Sequence, residues 1–160
     1  MLKRFIRLLK GDLEAEGSEH GPFERRVIAV AALLIEAMHV DHEASPMEAE
    51  AIARLLRRHF GLREERVAEL IAVAEQRYAE VLDDWEFVQA VRRGFTPGEQ
   101  SEILTMLWEV AYADGRLLKL EDRLIERLVK QLRLPADVAE TARIEAVSRA
   151  GLMPLREGGQ

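Results

Sequence analysis

Two stretches of the chain decide the fold: residues 31–56, AALLIEAMHVDHEASPMEAEAIARLL, and residues 106–128, MLWEVAYADGRLLKLEDRLIERL. In each stretch, apolar residues recur every three or four positions, an acidic turn interrupts them, and the same period then resumes. This period is typical of amphipathic helices. Each stretch therefore predicts a hairpin of two helices joined by a short turn.

A shift of 73 residues places the first hairpin on the second. Chance similarity between helical segments is the alternative, but the shift aligns both acids of the turn together with residues on the flanking helices. It pairs Glu36 with Glu109, Asp41 with Asp114, Glu48 with Glu121, Ile52 with Ile125, Arg54 with Arg127, and Leu55 with Leu128. We therefore predict one domain in which two hairpins pack about a pseudo-two-fold axis.

The rest of the chain carries the same period and clear helix boundaries. Residues 45–48 (SPME) and 96–99 (TPGE) each combine a capping Ser or Thr, a first-turn Pro and a Glu that can complete a capping box. Gly61 and Gly94 are expected to end helices, and Pro135 to open the last one. No strand-like alternation competes with this pattern. The sequence predicts an all-α, single-domain helical bundle of about seven or eight helices.

Four segments are expected. Residues 1–10 form an amphipathic N-terminal helix, 11–21 a polar linker, 22–150 the helical domain, and 151–160 a flexible tail. In the first segment one face carries Leu2, Phe5, Ile6 and Leu9, and the other faces carry four basic residues. Such a helix can dock on its own domain, dock on a partner chain, or lie weakly on an anionic membrane. Docking on protein is the favoured prediction.

Composition narrows the functional classes. The 160 residues are 48% hydrophobic and 32% charged, with a net charge of −6, which is typical of a well-solvated globular protein. The net negative charge argues against a general nucleic-acid binder, which would need a basic face. Cysteine is absent, which excludes disulfides, thiolate metal sites and a cysteine nucleophile. The N-terminus has no signal-peptide core, and no stretch approaches the roughly 20 apolar residues of a membrane span. A cytoplasmic location is expected, with the inner face of the membrane as an alternative.

The first acidic turn is the candidate metal site. Asp41, Glu43, Ser45 and Glu48 place side-chain oxygens at relative positions 1, 3, 5 and 8. Hard divalent cations such as Ca²⁺, Mg²⁺ or Mn²⁺ prefer such oxygen ligands. The spacing is not that of an EF-hand. A purely structural interpretation is also open, because Ser45 and Glu48 are fully explained as a capping box and Asp41 as a solvated acid.

The second turn keeps Asp114 and Glu121 but has Arg116 and Leu118 where the first has oxygens. These changes disfavour an isolated metal site there, although the two acids could complete a site shared across the pseudo-two-fold. Glu36 and Glu109 lie within apolar helices and need partners if buried. The repeat-related Arg54 and Arg127 are candidates, and a metal is another.

His39 and His42 could ligate Zn²⁺ with Asp41, but they straddle a helix end and nothing in the second copy matches them. Surface histidines are the favoured interpretation.

The two quoted stretches resemble the TerB-like tellurite-resistance family over roughly residues 24–149. That family has an acidic turn of the form A-D-G-x-[ILV]-[DS]-x-x-E between two helices, given twice. The resemblance implies an all-helical domain with a negatively charged face, linked to tellurite and stress resistance and to metal sensing near the membrane. By position, it carries the turn residues over to Asp41, Glu43, Ser45, Glu48, Asp114 and Glu121. His42, where the family usually has Gly, and the altered second turn depart from the pattern.

The sequence leaves three functions to compare. The first is a stress-linked binding module that holds a divalent metal at the acidic turn. The second is a protein–protein interaction or scaffold domain without metal. The third, an enzyme, is disfavoured because the sequence has no nucleophile–base arrangement, phosphate loop or histidine-rich metal motif. Other proteins are the expected partners, and the oligomeric state is left open.

Overall fold

In the computed structural model of the chain, the described residues are 23–40, 45–113, 119–149 and 151, without the side chains of 119–121. They form seven α-helices and no strand, which confirms the predicted all-α class. In chain order the helices are α1 (Arg25–His39), α2 (Pro46–Phe60), α3 (Glu64–Glu80), α4 (Trp85–Gly94), α5 (Pro97–Ala111), α6 (Lys119–Leu132) and α7 (Ala136–Arg149). The predicted segments 1–10 and 11–21 lie outside the described residues, as does the 151–160 tail except for Gly151.

Helix α1 is the central element of the bundle. Its sequence is apolar on nearly every side, and Ala29 to Ile35 are at most 1% exposed. A helix that is hydrophobic all round must be surrounded by other elements. Accordingly, α1 packs against α2, α3, α4, α5 and α6. Helix α5, the repeat partner of α1, is buried in the same way and packs against α1, α2, α6 and α7.

Both predicted capping boxes are present. The Ser45 hydroxyl accepts from the Glu48 N–H at 3.0 Å, and the Glu48 carboxylate accepts from the Ser45 N–H at 3.2 Å. Thr96 and Glu99 make the reciprocal pair at the start of α5, with distances of 3.2 and 2.7 Å. These side chains satisfy N–H groups that a helix start leaves without partners. They fix where α2 and α5 begin.

The repeat extends beyond the predicted hairpins to a third helix. Pro46 and Lys119, which open α2 and α6, are 73 residues apart, whereas Glu64 and Ala136, which open α3 and α7, are 72 apart. The offset drops because α2 has 15 residues and α6 has 14. Packing repeats as well, since α1 contacts α3 and α5 contacts α7, while α1–α6 and α2–α5 contacts cross between halves.

The turn after each second helix has the same geometry. Gly61 (φ 65°) and Arg133 (φ 60°) both adopt the left-handed conformation. In each turn the next N–H reaches back over the helix end, from Leu62 to the Arg57 carbonyl at 3.1 Å and from Leu134 to the Val129 carbonyl at 3.2 Å. This is the hydrogen bond of a Schellman-type helix end. The described residues therefore form two three-helix units joined by α4.

Helix α4 is fixed against the start of α1 by one arginine. The Arg26 guanidinium donates to the Gly94 carbonyl at 2.6 Å and to Glu24 at 2.9 Å, and lies 4.9 Å from the centre of the Phe95 ring. No helix among those described is both long and apolar enough to cross a bilayer.

Candidate functional site

The first acidic turn is held between two fixed helix ends. Helix α1 ends at His39, and α2 is capped at Ser45. Asp41 and Glu43 lie outside the described residues, so their predicted role as ligands stays a prediction. Ser45 and one Glu48 oxygen are used in the capping box, and Glu48 is buried. The structural role that the sequence allowed for these two residues is therefore present.

The second acidic turn follows α5. Asp114 lies outside the described residues, and Glu121 lies in α6 with its side chain not described. Met47, just after the first turn, and Ala113, just before the second, both line one small cavity of ≈ 230 Å³. The segments that flank the two turns therefore border the same space between α2, α5 and α7.

This cavity is lined by charged groups of both signs. Glu50 and Arg54 contribute from α2, Glu109 from α5 and Arg149 from α7. Glu109 is only 5% exposed, and its carboxylate pairs with Arg149 at 3.1 Å. Arg149 also holds Glu102 at 2.8 Å and Glu145 at 3.0 Å. Arg54, the candidate partner of Glu109 in the sequence, makes no ion pair with it; Arg149 takes that place.

The repeat-equivalent acid, Glu36, has a different environment. Arg127, one of the two arginines that the sequence offered as partners, lies 3.4 Å from its carboxylate. The same guanidinium contacts both oxygens of the buried Asp84 at 3.1 Å. One oxygen of Glu36, Oε1, is buried without a hydrogen-bond partner. A buried carboxylate, Asp84, and a largely buried one, Glu36, thus share one half-exposed arginine.

This arrangement favours a protonated Glu36. Burial, followed by a hydrogen bond and repulsion from Asp84, raises the pKa of Glu36 from 4.5 to about 8, against the opposing pull of Arg127. The same surroundings raise the pKa of Tyr78, mainly by burial and then by the charges of Glu36 and Asp84. The raised pKa therefore lowers the negative charge on Glu36 at neutral pH, beside a guanidinium that it shares with Asp84.

The histidines of the described residues are used in packing. His39 stacks on Tyr78 with ring centres 6.0 Å apart, and His59 meets the Phe60 ring edge-on at 4.7 Å. Burial lowers the pKa of His59. His42, the proposed zinc partner of His39, is outside the described residues. Among the residues with described side chains, no three His, Asp or Glu groups are placed to hold a metal ion.

Sequence reasoning missed two residues of these sites. Asp84 reaches Arg127 across 43 positions of chain, and Arg149 reaches Glu109 across 40. No local spacing signals either contact. Asp84 is the N-cap residue of α4 but makes no side-chain cap, and its neighbour Asp83 accepts the Trp85 N–H at 3.0 Å.

Comparisons with known proteins agree with this fold. The family described as "Tellurite resistance protein TerB" matches residues 27–144. A solved structure of a protein of unknown function, PG1108 from Porphyromonas gingivalis W83, superposes with a TM-score of 0.61 at 16% identity. That similarity covers 79% of this chain and 94% of the other, and it shows the fold alone. A search of curated proteins finds no match.

Proposed function

We propose, from the premise that this chain belongs to the TerB tellurite-resistance family, that it is a non-enzymatic, stress-linked binding module of the cytoplasm. Its first acidic turn would bind a divalent cation through Asp41, Glu43 and Glu48, with Ser45 nearby. The family match over residues 27–144 carries this proposal, because it gives the acidic turns a context beyond chance spacing.

The placement of the helix ends supports it. Helices α1 and α2 hold the turn from both sides, and the capping box fixes Glu48 at one end of it. Only residues 41–44 separate the described residues Val40 and Ser45, so the candidate oxygen ligands lie close in sequence to Glu48. Asp114 and Glu121 are secondary candidates, because the segments that flank both turns border one cavity.

A variant that spares the cap tests the cation site. We expect added Ca²⁺ or Mn²⁺ to raise the melting temperature of the wild type and not that of Asp41→Asn with Glu43→Gln. Binding only the folded state stabilises it by about 2.7 kcal/mol when the cation is at 100 times its Kd. The matched control is Asp114→Asn in the second turn, which should keep most of the shift.

Two further measurements sharpen this test. Asp41→Ala with Glu48→Gln should also lose the shift, but its metal-free melting must be compared first, since loss of the cap alone costs about 0.5–2 kcal/mol. A shift of equal size in wild type and both variants would place the cation elsewhere. Calorimetry with Ca²⁺, Mg²⁺, Mn²⁺ and Zn²⁺ that shows no binding would leave the second function.

The second candidate is a protein–protein interaction domain without metal. One specific observation favours it: Leu82 is fully exposed and Trp85, three residues on, is about half exposed, both beside the start of α4. Exposed aromatic side chains are common anchors of protein interfaces. Capture of partners that depends on Trp85, in the absence of any divalent cation, would favour this function.

A further inference from the structure

A groove of ≈ 530 Å³ runs between α2 and α3, on the side of α2 that also borders the smaller cavity through Glu50 and Arg54. Its floor is apolar: Ala53 from α2, and Val67 and Ile71 from α3, with the exposed Ala68 beside them. Charged side chains form the rim. The groove is therefore an exposed, concave apolar surface on an otherwise well-packed bundle, which is the shape that receives an amphipathic helix.

The second half of the molecule shows that the fold does not require these apolar residues. At the positions equivalent to Ala53, Ala68 and Ile71, helices α6 and α7 carry Glu126, Glu140 and Arg143. Glu140 and Arg143 form a salt bridge with each other at 2.5 Å. These three positions therefore carry charged side chains in the second half of the molecule and apolar side chains at the groove.

The chain itself carries a matching segment. Leu2, Phe5, Ile6 and Leu9 stand at relative positions i, i+3, i+4 and i+7, which are the anchor positions of a helix that binds in a groove. The chain enters the described part at Phe23, whose ring lies 4.0 Å from the Arg66 guanidinium in the first turn of α3. Arg66 is the neighbour in sequence of Val67 on the groove floor.

The linker is long enough for residues 2–10 to contact the groove. Residues 11–22 could span up to about 40 Å when extended, more than the width of one helix. A tethered segment also has an effective concentration in the millimolar range, so a small apolar contact suffices. We propose that residues 2–10 dock in cis, apolar face inward, in the groove between α2 and α3.

The charged side chains on the rim determine the orientation of the docked segment, and they do not provide the attraction that holds it. Glu50 and Glu64 lie on the rim together with Arg54 and Arg57. None of these four forms an ion pair with another described residue. Lys3, Arg4, Arg7 and Lys10 flank the apolar face of the segment and are repelled by the two arginines. Docking therefore directs them toward Glu50 and Glu64.

The absence of cysteine makes a direct test possible. Ile6→Cys combined with Ala68→Cys, the groove pair, places one thiol on the apolar face of the segment and one at the exposed Ala68 position of the groove. The control pair is Ile6→Cys with Glu140→Cys, the equivalent exposed position of the second half. Under mild oxidation of dilute full-length protein, we expect the groove pair to form an intramolecular disulfide at least about tenfold faster than the control pair.

A third variant ties the result to the groove. Adding Ala53→Glu, which introduces the side chain of the second half, should slow disulfide formation in the groove pair at least about fivefold, with an unchanged helical circular dichroism spectrum. Equal rates in the groove pair and the control pair would overturn the proposal. So would disulfides found only between molecules, which would assign the groove to a second copy. Sedimentation of the full chain with phosphatidylserine vesicles, together with equal rates, would assign the segment to the membrane.

Discussion

At the scale of single residues, Glu36 and Asp84 share one cation, Arg127, although Asp84 is buried and Glu36 is only 17% exposed. Two acids in one site cannot both ionise without a large electrostatic penalty. Asp84 lies closer to Arg127, at 3.1 Å, than Glu36 does, at 3.4 Å. The proton therefore stays on Glu36, whose pKa rises to about 8.

This makes stability depend on pH with a definite sign. The folded-state pKa of Glu36 is above its ordinary value of 4.5, so the folded protein binds the proton more tightly than the unfolded chain. Its contribution to stability is complete below pH 4.5 and is lost as pH rises through about 8. We expect Glu36→Gln, which cannot ionise, to be more stable than the wild type at pH 9, with the difference shrinking toward pH 5.

Denaturant unfolding of both proteins at pH 5, 7 and 9 measures this difference. Glu109→Gln is the matched control, since the equivalent acid is held by Arg149 without a second buried acid in contact. We expect that variant to be less stable at neutral pH by about 1 kcal/mol, because a charged hydrogen bond is lost. A stability difference between Glu36→Gln and wild type that is the same at every pH would contradict the assignment.

Arg133 gives a second prediction at this scale. It adopts φ 60°, where its repeat equivalent is Gly61, and an L-residue with a Cβ pays about 1–2 kcal/mol in that conformation. We expect Arg133→Gly to raise the free energy of unfolding by about 0.5–1 kcal/mol, after the entropy that glycine costs. Gly61→Ala should lower it by a similar amount. Thermal melts of the two variants should move in opposite directions, and a destabilised Arg133→Gly would count against the turn geometry.

The sequence predicts only some of the ion-pair partners of the buried and partly buried acids. Glu36 is recognisable because it interrupts an apolar helix, and Arg127 is one of the two repeat-related arginines that the sequence offers as partners. Asp84 has no such signal, since it approaches the pair only after α4 packs against α1 and α6. Glu109 is paired by Arg149 and by neither of the two arginines that the sequence offered. The reason is similar: α7 packs along α5, and sequence periodicity does not show which neighbouring helix supplies the guanidinium.

At the scale of elements, local signals locate the helices well. The SPME and TPGE motifs place the starts of α2 and α5 correctly, because a capping box is a contact within four residues. The start of α1 is less accurately predicted. Proline is favoured at a first helical position, which predicts a start near Pro22. The helix begins at Arg25 instead, where Glu24 makes no side-chain cap and tertiary contacts of Phe23 and Arg26 determine the entry of the chain.

The contact of α4 with α1 gives an element-scale prediction. A Cβ on Gly94 would lie 2.8 Å from the Arg26 Cβ and 2.9 Å from its Cδ. Gly94→Ala must displace Arg26 or α4, so we expect a loss of about 1–3 kcal/mol in the free energy of unfolding, although alanine is the better helix former. Gly98→Ala is the control, because nothing lies within 4 Å of that position. It should be neutral or stabilise by up to about 1 kcal/mol.

Chemical denaturation of both glycine variants provides the measurement. If Gly94→Ala is as stable as Gly98→Ala, then Arg26 does not hold α4 as closely as the structure indicates.

At the scale of the whole molecule, the two three-helix units are not independent. Helices α1 and α5 pack against each other, and each also contacts the second helix of the other unit. An ion pair also joins the two units, since Arg127 of α6 contacts Glu36 of α1. The repeat is visible in the sequence as two hairpins, but its third helices are not, since α3 and α7 share packing rather than letters and the offset changes by one residue between them.

Because these contacts join the two units, we predict that neither half of the chain folds alone. In a fragment of residues 22–83, α1 would keep α2 and α3 but lose α4, α5 and α6, which cover the remaining sides of its buried apolar surface. A helix exposed on several apolar faces is not stable as a monomeric core element. We expect this fragment and the complementary 84–150 fragment each to unfold without a cooperative transition, and to regain helical circular dichroism and a cooperative melt when mixed in equal amounts.

The full chain should then unfold in one transition, with the same midpoint by circular dichroism and by tryptophan fluorescence. The two signals are independent, because Trp85 and Trp108 report on α4 and α5 while circular dichroism reports on every helix. Coincident midpoints are the mark of a single cooperative unit. A cooperative melt of the 22–83 fragment alone would mean that the first unit is a domain in its own right and that α5 only docks on it.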